Sequence, residues 1–196
     1  MKVNSGTYRA VVIGVSAGGI AALGQILPVF DSTSKAAIII VQHVAPNSPN
    51  YLVEYFARQC RMTVCEAADK QAVAPGIIYF APPNYHLLVE QQKSFALSVD
   101  AKVNYSRPAI DVLFETAADA YLDRLVGVIL TGANDDGAAG LAAVKKKGGL
   151  TIVQSPETAE IDTMPKAAIA RTEVDQILPL EEIGKYLNTL EYIGGE

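Results

Sequence analysis

Ser16, His43 and one of the adjacent acids Asp135 and Asp136 are the residue types that acyl transfer needs. A serine hydroxyl attacks a carbonyl only when a base takes its proton. Histidine titrates nearest to neutrality, and a carboxylate fixes which ring nitrogen carries the proton. The chain has only two histidines. His43 closes an apolar, β-branched run, which is the position expected of a base. His86 opens an amphipathic alternation with no nucleophile or acid beside it, and is expected to be structural. Asp135 and Asp136 are neighbours, so only one can face a given imidazole, and the residues alone leave that register open. Either acid also suits a second role, capping the helix that begins near Gly137.

The element that must position Ser16 is the stretch Val11-Val12-Ile13-Gly14-Val15-Ser16-Ala17-Gly18-Gly19-Ile20. An apolar run ends at the serine, two glycines follow, and Ile20, Leu23, Ile26 and Leu27 then repeat at helical spacing. A strand, a tight turn and a helix result, with Ser16 at the turn. The N–H groups near Ala17 and Gly18 open the helix, where partial positive charge favours a developing oxyanion. Three other readings compete. Ser16 is also a suitable helix cap. A dinucleotide site would need Gly-x-Gly-x-x-Gly, but Ser16 stands at the second glycine and the next strand ends in Gln42-His43 without an acid. Gly14-Val15-Ser16-Ala17-Gly18 matches the Gly-x-Ser-x-Gly of α/β-hydrolases. In that fold the histidine comes last, whereas no histidine follows His86 here.

At 196 residues, half of them hydrophobic and 19% charged, the chain is long enough for one domain with a sizeable core. A net charge of −5 with no strongly basic stretch argues against nucleic-acid binding. Lys145-Lys146-Lys147 falls at a helix end, where cations suit the dipole. Met1 to Gly6 has no apolar signal region, and no run approaches transmembrane length, so no membrane insertion is expected. Cys60 and Cys65 make neither a disulfide framework nor a zinc set, and no other grouping has metal-ligand spacing. A cytoplasmic setting and no metal or other cofactor are the expectations.

Further strands are expected at Ala37–Val41, Thr63–Ala67, Ile77–Ala81, Leu125–Leu130, Leu150–Gln154 and Val174–Ile177. His86–Glu90 and Phe95–Val99 flank Gln91-Gln92-Lys93-Ser94 as a hairpin. Helices are expected after Asn47-Ser48-Pro49 as far as about Gln59, from Pro108 to Tyr121, at Ala138–Lys147, at Met164–Ala170 and at Glu181–Leu190. This alternation predicts a doubly wound, mostly parallel α/β sheet with helices on both faces, a Rossmann-like three-layer fold carrying one antiparallel hairpin. Ligands bind such sheets outside the carboxyl ends of the strands. Ser16, His43 and the Asp135-Asp136 loop all fall there.

The chain resembles the catalytic domain of chemotaxis protein-glutamate methylesterases over roughly residues 8 to 190. The residues that carry the likeness are Val12-Ile13-Gly14-Val15-Ser16-Ala17-Gly18-Gly19, Gln42-His43, Ala81-Pro82 with His86, Arg107-Pro108-Ala109-Ile110-Asp111-Val112-Leu113-Phe114, Gly127-Val128-Ile129-Leu130-Thr131-Gly132 and Asp136-Gly137-Ala138-Ala139-Gly140. The resemblance puts the nucleophile on Ser16, the base on His43 and the acid on Asp136 rather than Asp135. It implies hydrolysis of γ-glutamyl methyl esters on chemoreceptor helices, with deamidation of receptor glutamines as a companion activity. Ala17, Gly18, Ala133 and Arg107 are the residues expected at the oxyanion and substrate. Ala133-Asn134 stand where the family carries Met-Gly. Many members also carry a receiver domain. Residues 1–196 are expected to hold the catalytic domain alone, which makes a separate receiver protein a candidate partner. The alternatives are a non-catalytic receptor-binding scaffold, against which the intact Ser/His/Asp set argues, and an esterase acting on an unrelated substrate.

Overall fold

The computed structural model describes residues 7–43 and 51–194. Its strands are β1 (Thr7–Tyr8), β2 (Ala10–Val15), β3 (Ala37–Gln42), β4 (Thr63–Glu66), β5 (Ile77–Phe80), β6 (His86–Val89), β7 (Phe95–Ser98), β8 (Leu125–Ile129), β9 (Leu150–Gln154), β10 (Gln176–Leu178) and β11 (Glu191–Tyr192). Its α-helices are α1 (Gly19–Ile26), α2 (Tyr51–Ala57), α3 (Ile110–Tyr121), α4 (Ala138–Lys146), α5 (Thr163–Arg171) and α6 (Leu180–Thr189). Seven strands form one parallel sheet in the order β10-β9-β8-β2-β3-β5-β4. β6 and β7 form the expected antiparallel hairpin. A short parallel pair, β1 with β11, was not foreseen; two-residue strands leave too little period to read.

β2, β3, β8 and β9 are buried along their whole length, as strands covered on both faces must be. Alternate residues therefore go to two cores. Val11, Ile13 and Val15 pack with Leu23 and Ile26 of α1, Phe56 of α2 and Ile183 of α6. Val12, Ile39 and Ile129 pack with Leu113 and Phe114 of α3, Leu141 of α4 and Met164 of α5. The expected three layers are thus present. The expected start of the helix following Asn47-Ser48-Pro49 lies outside the described residues, and that helix ends at Ala57, two residues short of Gln59. α3 begins at Ile110 rather than Pro108, which follows a cis peptide bond to Arg107.

Close approach of α3 to the sheet depends on two glycines. A Cβ on Gly14 of β2 would overlap Ile110 Cγ2, and one on Gly137, ahead of α4, would lie 2.7 Å from the same methyl. Ile110 is fully buried between these positions. Gly14→Ala should therefore overpack the α3 face and destabilise the fold by about 1–3 kcal/mol. Urea unfolding measures this, and an unchanged midpoint would show that Ile110 simply yields.

Candidate active site

Sheet register brings the loops together. Val15 pairs with Gln42 and Gly14 with Ile129, so Ser16 emerges between His43 on one side and Thr131 on the other. The backbone continues the ladder past the strands: Ser16 N–H donates to Thr131 O at 3.0 Å and His43 N–H to Val15 O at 3.1 Å. β2 lies between β3 and β8, where the two halves of the winding diverge, and such a switch point is where these sheets bind ligands.

Side chains then brace the turn. Gln42 Nε2 donates to Ser16 O at 2.9 Å and His43 O at 3.0 Å, tying the backbones of those two residues together. Thr131 Oγ1 donates to Ala17 O at 2.9 Å and accepts from Ile161 N–H at 2.9 Å. Gly18, with φ of 77°, adopts the left-handed conformation that glycine tolerates best and stands at the N-cap of α1. No side chain caps this helix, so Ser16 is not a capping serine. Gly19 N–H is occupied by Ser16 O, whereas among the described residues the N–H groups of Ala17 and Gly18 enter no such bond. They are the donors left over at the helix opening.

His43 Nε2 lies 2.8 Å from Asp136 Oδ2. Asp136 is fully buried while Asp135 is exposed, so Asp136 is the acid that faces His43. Neither acid caps α4, whose N-cap is Gly137 without a side-chain bond. Asp136 Oδ2 also accepts Ile110 N–H at 2.7 Å, and Oδ1 accepts Asp111 N–H at 3.1 Å. Both donors belong to the first turn of α3, where the helix dipole favours an anion. Burial on its own would raise the Asp136 carboxyl. The hydrogen bonds from His43, Ile110 and Asp111 outweigh burial and hold it below its ordinary value. An ionised Asp136 only accepts, so His43 Nε2 carries the proton and Nδ1 keeps its lone pair. No hydrogen bond joins Ser16 Oγ to His43 in this structure; resting sites often hold this contact loosely until substrate arrives.

A second buried carboxylate, Asp111, went unrecognised as a partner of the site. Its Oδ1 accepts Gly137 N–H at 2.9 Å and Gly140 N–H at 2.7 Å, capping α4 from α3. Asn104 Nδ2 bridges the pair, at 2.9 Å from Asp111 Oδ2 and 3.2 Å from Asp136 Oδ1. Burial, reinforced by the charge of Asp136, pushes the Asp111 carboxyl up, against the pull of its amide donors. The signal available in sequence was an acid in register with Phe114 and Ala118 on an otherwise apolar helix face. A cleft of about 400 Å³ opens beside these carboxylates, lined by Asn104, Asp111, Asp135, Ala138, Ala167 and Arg171.

His86 lies elsewhere and is buried. Its Nδ1 accepts Ala109 N–H at 3.2 Å and its Nε2 lies 3.0 Å from Ala101 O, so both nitrogens hold backbone. Arg107 Nη1 donates to Val99 O at 2.7 Å and Asp100 O at 3.0 Å, which fastens the end of the hairpin; the expectation that Arg107 faces substrate gains no contact from this arrangement. Ala133 is exposed on the acid loop, and Asn134 Oδ1 accepts Asp136 N–H at 3.3 Å. Among the described residues no three His, Cys, Asp or Glu side chains gather as a metal site requires.

A serine, a histidine and a buried carboxylate on the loops of three adjacent strands define a candidate serine hydrolase. A family model described as CheB methylesterase matches residues 11–187. A putative protein-glutamate methylesterase/protein-glutamine glutaminase of Leptospira interrogans is 50% identical over 184 residues, covering 94% of this chain and 95% of that protein. A protein-glutamate methylesterase/protein-glutamine glutaminase of Pyrococcus horikoshii is 39% identical, with 89% of this chain matching 48% of its length. The crystal structure of the Thermotoga maritima CheB methylesterase catalytic domain matches with a TM-score of 0.88 at 35% identity, covering 93% of this chain and 98% of that one. The chain belongs to the CheB methylesterase family.

Asn104→Ala tests the bridge between the carboxylates. Asp136 has a lowered folded pKa, so its contribution to stability is present above the unfolded value and is lost as pH falls through the folded one. Asp111 has a raised value and works oppositely, relieving a penalty as pH falls. Removing their common donor should raise both folded values. The Asp136 loss then begins at higher pH, and stability at neutral pH falls by about 1–3 kcal/mol. Urea unfolding across the acid range should show both effects; an unchanged acid limb would leave Asn104 without this role.

Proposed function

We propose that the chain is a protein-glutamate methylesterase of the serine-hydrolase type, acting in the cytoplasm on γ-glutamyl methyl esters of chemoreceptors and, on the same scaffold, deamidating receptor glutamines. The observation that carries the reading is the 2.8 Å pairing of His43 with the buried Asp136 on loops that flank Ser16. Family membership supports the ester substrate, and the Leptospira interrogans and Pyrococcus horikoshii relatives carry both activities in their names.

In the proposed reaction Ser16 Oγ attacks the ester carbonyl and passes its proton to His43 Nδ1. Asp136, held ionised by the α3 N-terminus, stabilises the imidazolium through Nε2–H. The carbonyl oxygen, now negative, takes hydrogen bonds from the N–H groups of Ala17 and Gly18. Collapse of the tetrahedral intermediate expels methoxide, which leaves as methanol with the proton from His43. Water, deprotonated by the same nitrogen, then attacks the glutamyl-Ser16 ester. The glutamate side chain is released as a carboxylate and the serine hydroxyl is restored. An amide substrate follows the same path with ammonia leaving.

Methanol release from a methylated chemoreceptor tests the reading, wild type against Ser16→Ala, which should lose turnover. Asp136→Asn should lower kcat by about 10⁴-fold, through the wrong imidazole tautomer. Full activity in Ser16→Ala would sink the assignment. His86→Ala provides the contrast. It should destabilise the fold by about 1–3 kcal/mol, because Ala109 N–H is left buried and unpaired. Turnover of the folded fraction should stay within a small factor of wild type, whereas His43→Ala should nearly abolish it.

A further inference from the structure

At the other end of the sheet, Arg9 and Lys93 converge on a cavity of about 190 Å³ whose walls include Ala37, Ala72, Tyr121 and Ile193. Arg9 precedes β2, Ala37 opens β3 and Tyr121 closes α3. The cavity therefore lies at the amino ends of the parallel strands, while the loops of Ser16, His43 and Asp136 leave from the carboxyl ends. The six residues of β2 separate the two ends, roughly 20 Å at about 3.3 Å per residue.

The polar groups here are incompletely matched. Arg9 Nε is buried and has no hydrogen-bond partner. Lys93 Nζ donates to Gln91 O at 2.7 Å and stands 5.3 Å from the centroid of the Tyr121 ring. Burial first, and the charge of Arg9 second, hold the Lys93 ammonium below its ordinary value, so the two cations are near enough to repel. Burial pushes the Tyr121 phenol up to about 12. Among the described residues none of the ion pairs includes Arg9 or Lys93. Two like charges lining one partly desolvated cavity are unfavourable unless an anion balances them. That the chain as a whole is acidic, at −5, makes a local pair of unmatched cations the more pointed.

We propose that this cavity binds the phosphate group of a small phosphate monoester. The guanidinium of Arg9 and the ammonium of Lys93 both belong to residues that line the cavity, and two cations suit a multiply charged oxyanion. A carboxylate brings a single charge and one planar edge, which Arg9 alone would satisfy; a phosphate dianion matches both cations. Ala37, Ala72 and Ile193 provide an apolar wall for the organic part. The volume falls below the roughly 300–1,000 Å³ of sites for drug-sized molecules, which limits the ligand to a few carbon atoms beyond the phosphate.

Calorimetric titration of the intact chain with glycerol 3-phosphate at low ionic strength tests this. Wild type should bind saturably, and Arg9→Gln and Lys93→Gln should each bind about tenfold or more weakly, the loss expected for one charge-assisted hydrogen bond. Ser16→Ala should bind like wild type, which separates this site from the catalytic one. If Arg9→Gln does not fold, Lys93→Gln, on the hairpin turn, decides. Equal affinity in wild type and Lys93→Gln, absence of binding, or displacement by acetate at equal concentration would each overturn the proposal. Vesicles of phosphatidylcholine with and without phosphatidic acid distinguish the source. Binding of the soluble ester alone supports a free ligand, and Lys93-dependent capture by the phosphatidic acid vesicles supports a lipid headgroup.

Discussion

Two helix N-termini face each other in this protein, and each is capped by a carboxylate carried by the other helix's end of the chain. Asp136, just ahead of α4, accepts the first N–H groups of α3; Asp111, in the first turn of α3, accepts N–H groups at the start of α4. Burying a carboxylate is expensive unless its oxygens are matched by donors. Here backbone amides provide those donors, and their positive ends favour the anions further. The glycines at 14 and 137 follow from the same constraint, because Ile110 must press between them for the α3 N-terminus to reach Asp136. His86, by accepting Ala109 N–H, fixes the backbone one residue earlier.

The two carboxylates do different work with the same surroundings. Asp136 has the more balanced set of donors and stays ionised, so it can hold the Nε2–H tautomer of His43. Asp111 is pushed the other way, burial first and then the Asp136 charge. Asn104, with two amide hydrogens to give, donates one toward each and lowers their repulsion without adding charge. Asn104 therefore braces Asp136, the carboxylate that holds His43.

Most of the sheet was legible because its strands are rich in β-branched residues, four of the six in β2 and four of the six in β3, and a doubly covered parallel sheet accommodates strands buried along their whole length. The loops that end those strands were legible for the same reason, since Ser16 is the first polar residue after one run and Gln42-His43 are the first after the other. Asp136 was distinguishable from Asp135 only through family likeness. Periodicity says nothing of which of two adjacent acids points inward, and the burial that decides it comes from α3, a segment twenty-five residues earlier in the chain. Asn104 was hidden more deeply. It sits in a polar loop with positive φ, where asparagine is an ordinary turn residue, and its partners are brought to it by tertiary packing alone.

The acid loop shows how a departure from the family pattern is absorbed. After Thr131-Gly132, where the resemblance to the family implies Met-Gly, this chain has Ala133-Asn134. Asn134 Oδ1 accepts Asp136 N–H, so the loop gains a side-chain brace on the very residue that must stay fixed. Met164, fully buried, packs so tightly on Gly132 that a Cβ there would lie 2.5 Å from its Cε. The preceding Thr131 is bound on both sides, to Ala17 O and to Gln154 Oε1. The loop is thereby held from residue 131 to residue 136, with Ala133 left exposed at its crest. The turn of Ala17 and Gly18, whose N–H groups are the proposed oxyanion donors, is anchored through the Ser16 and Thr131 backbones, and that anchor does not involve the side chain at position 133.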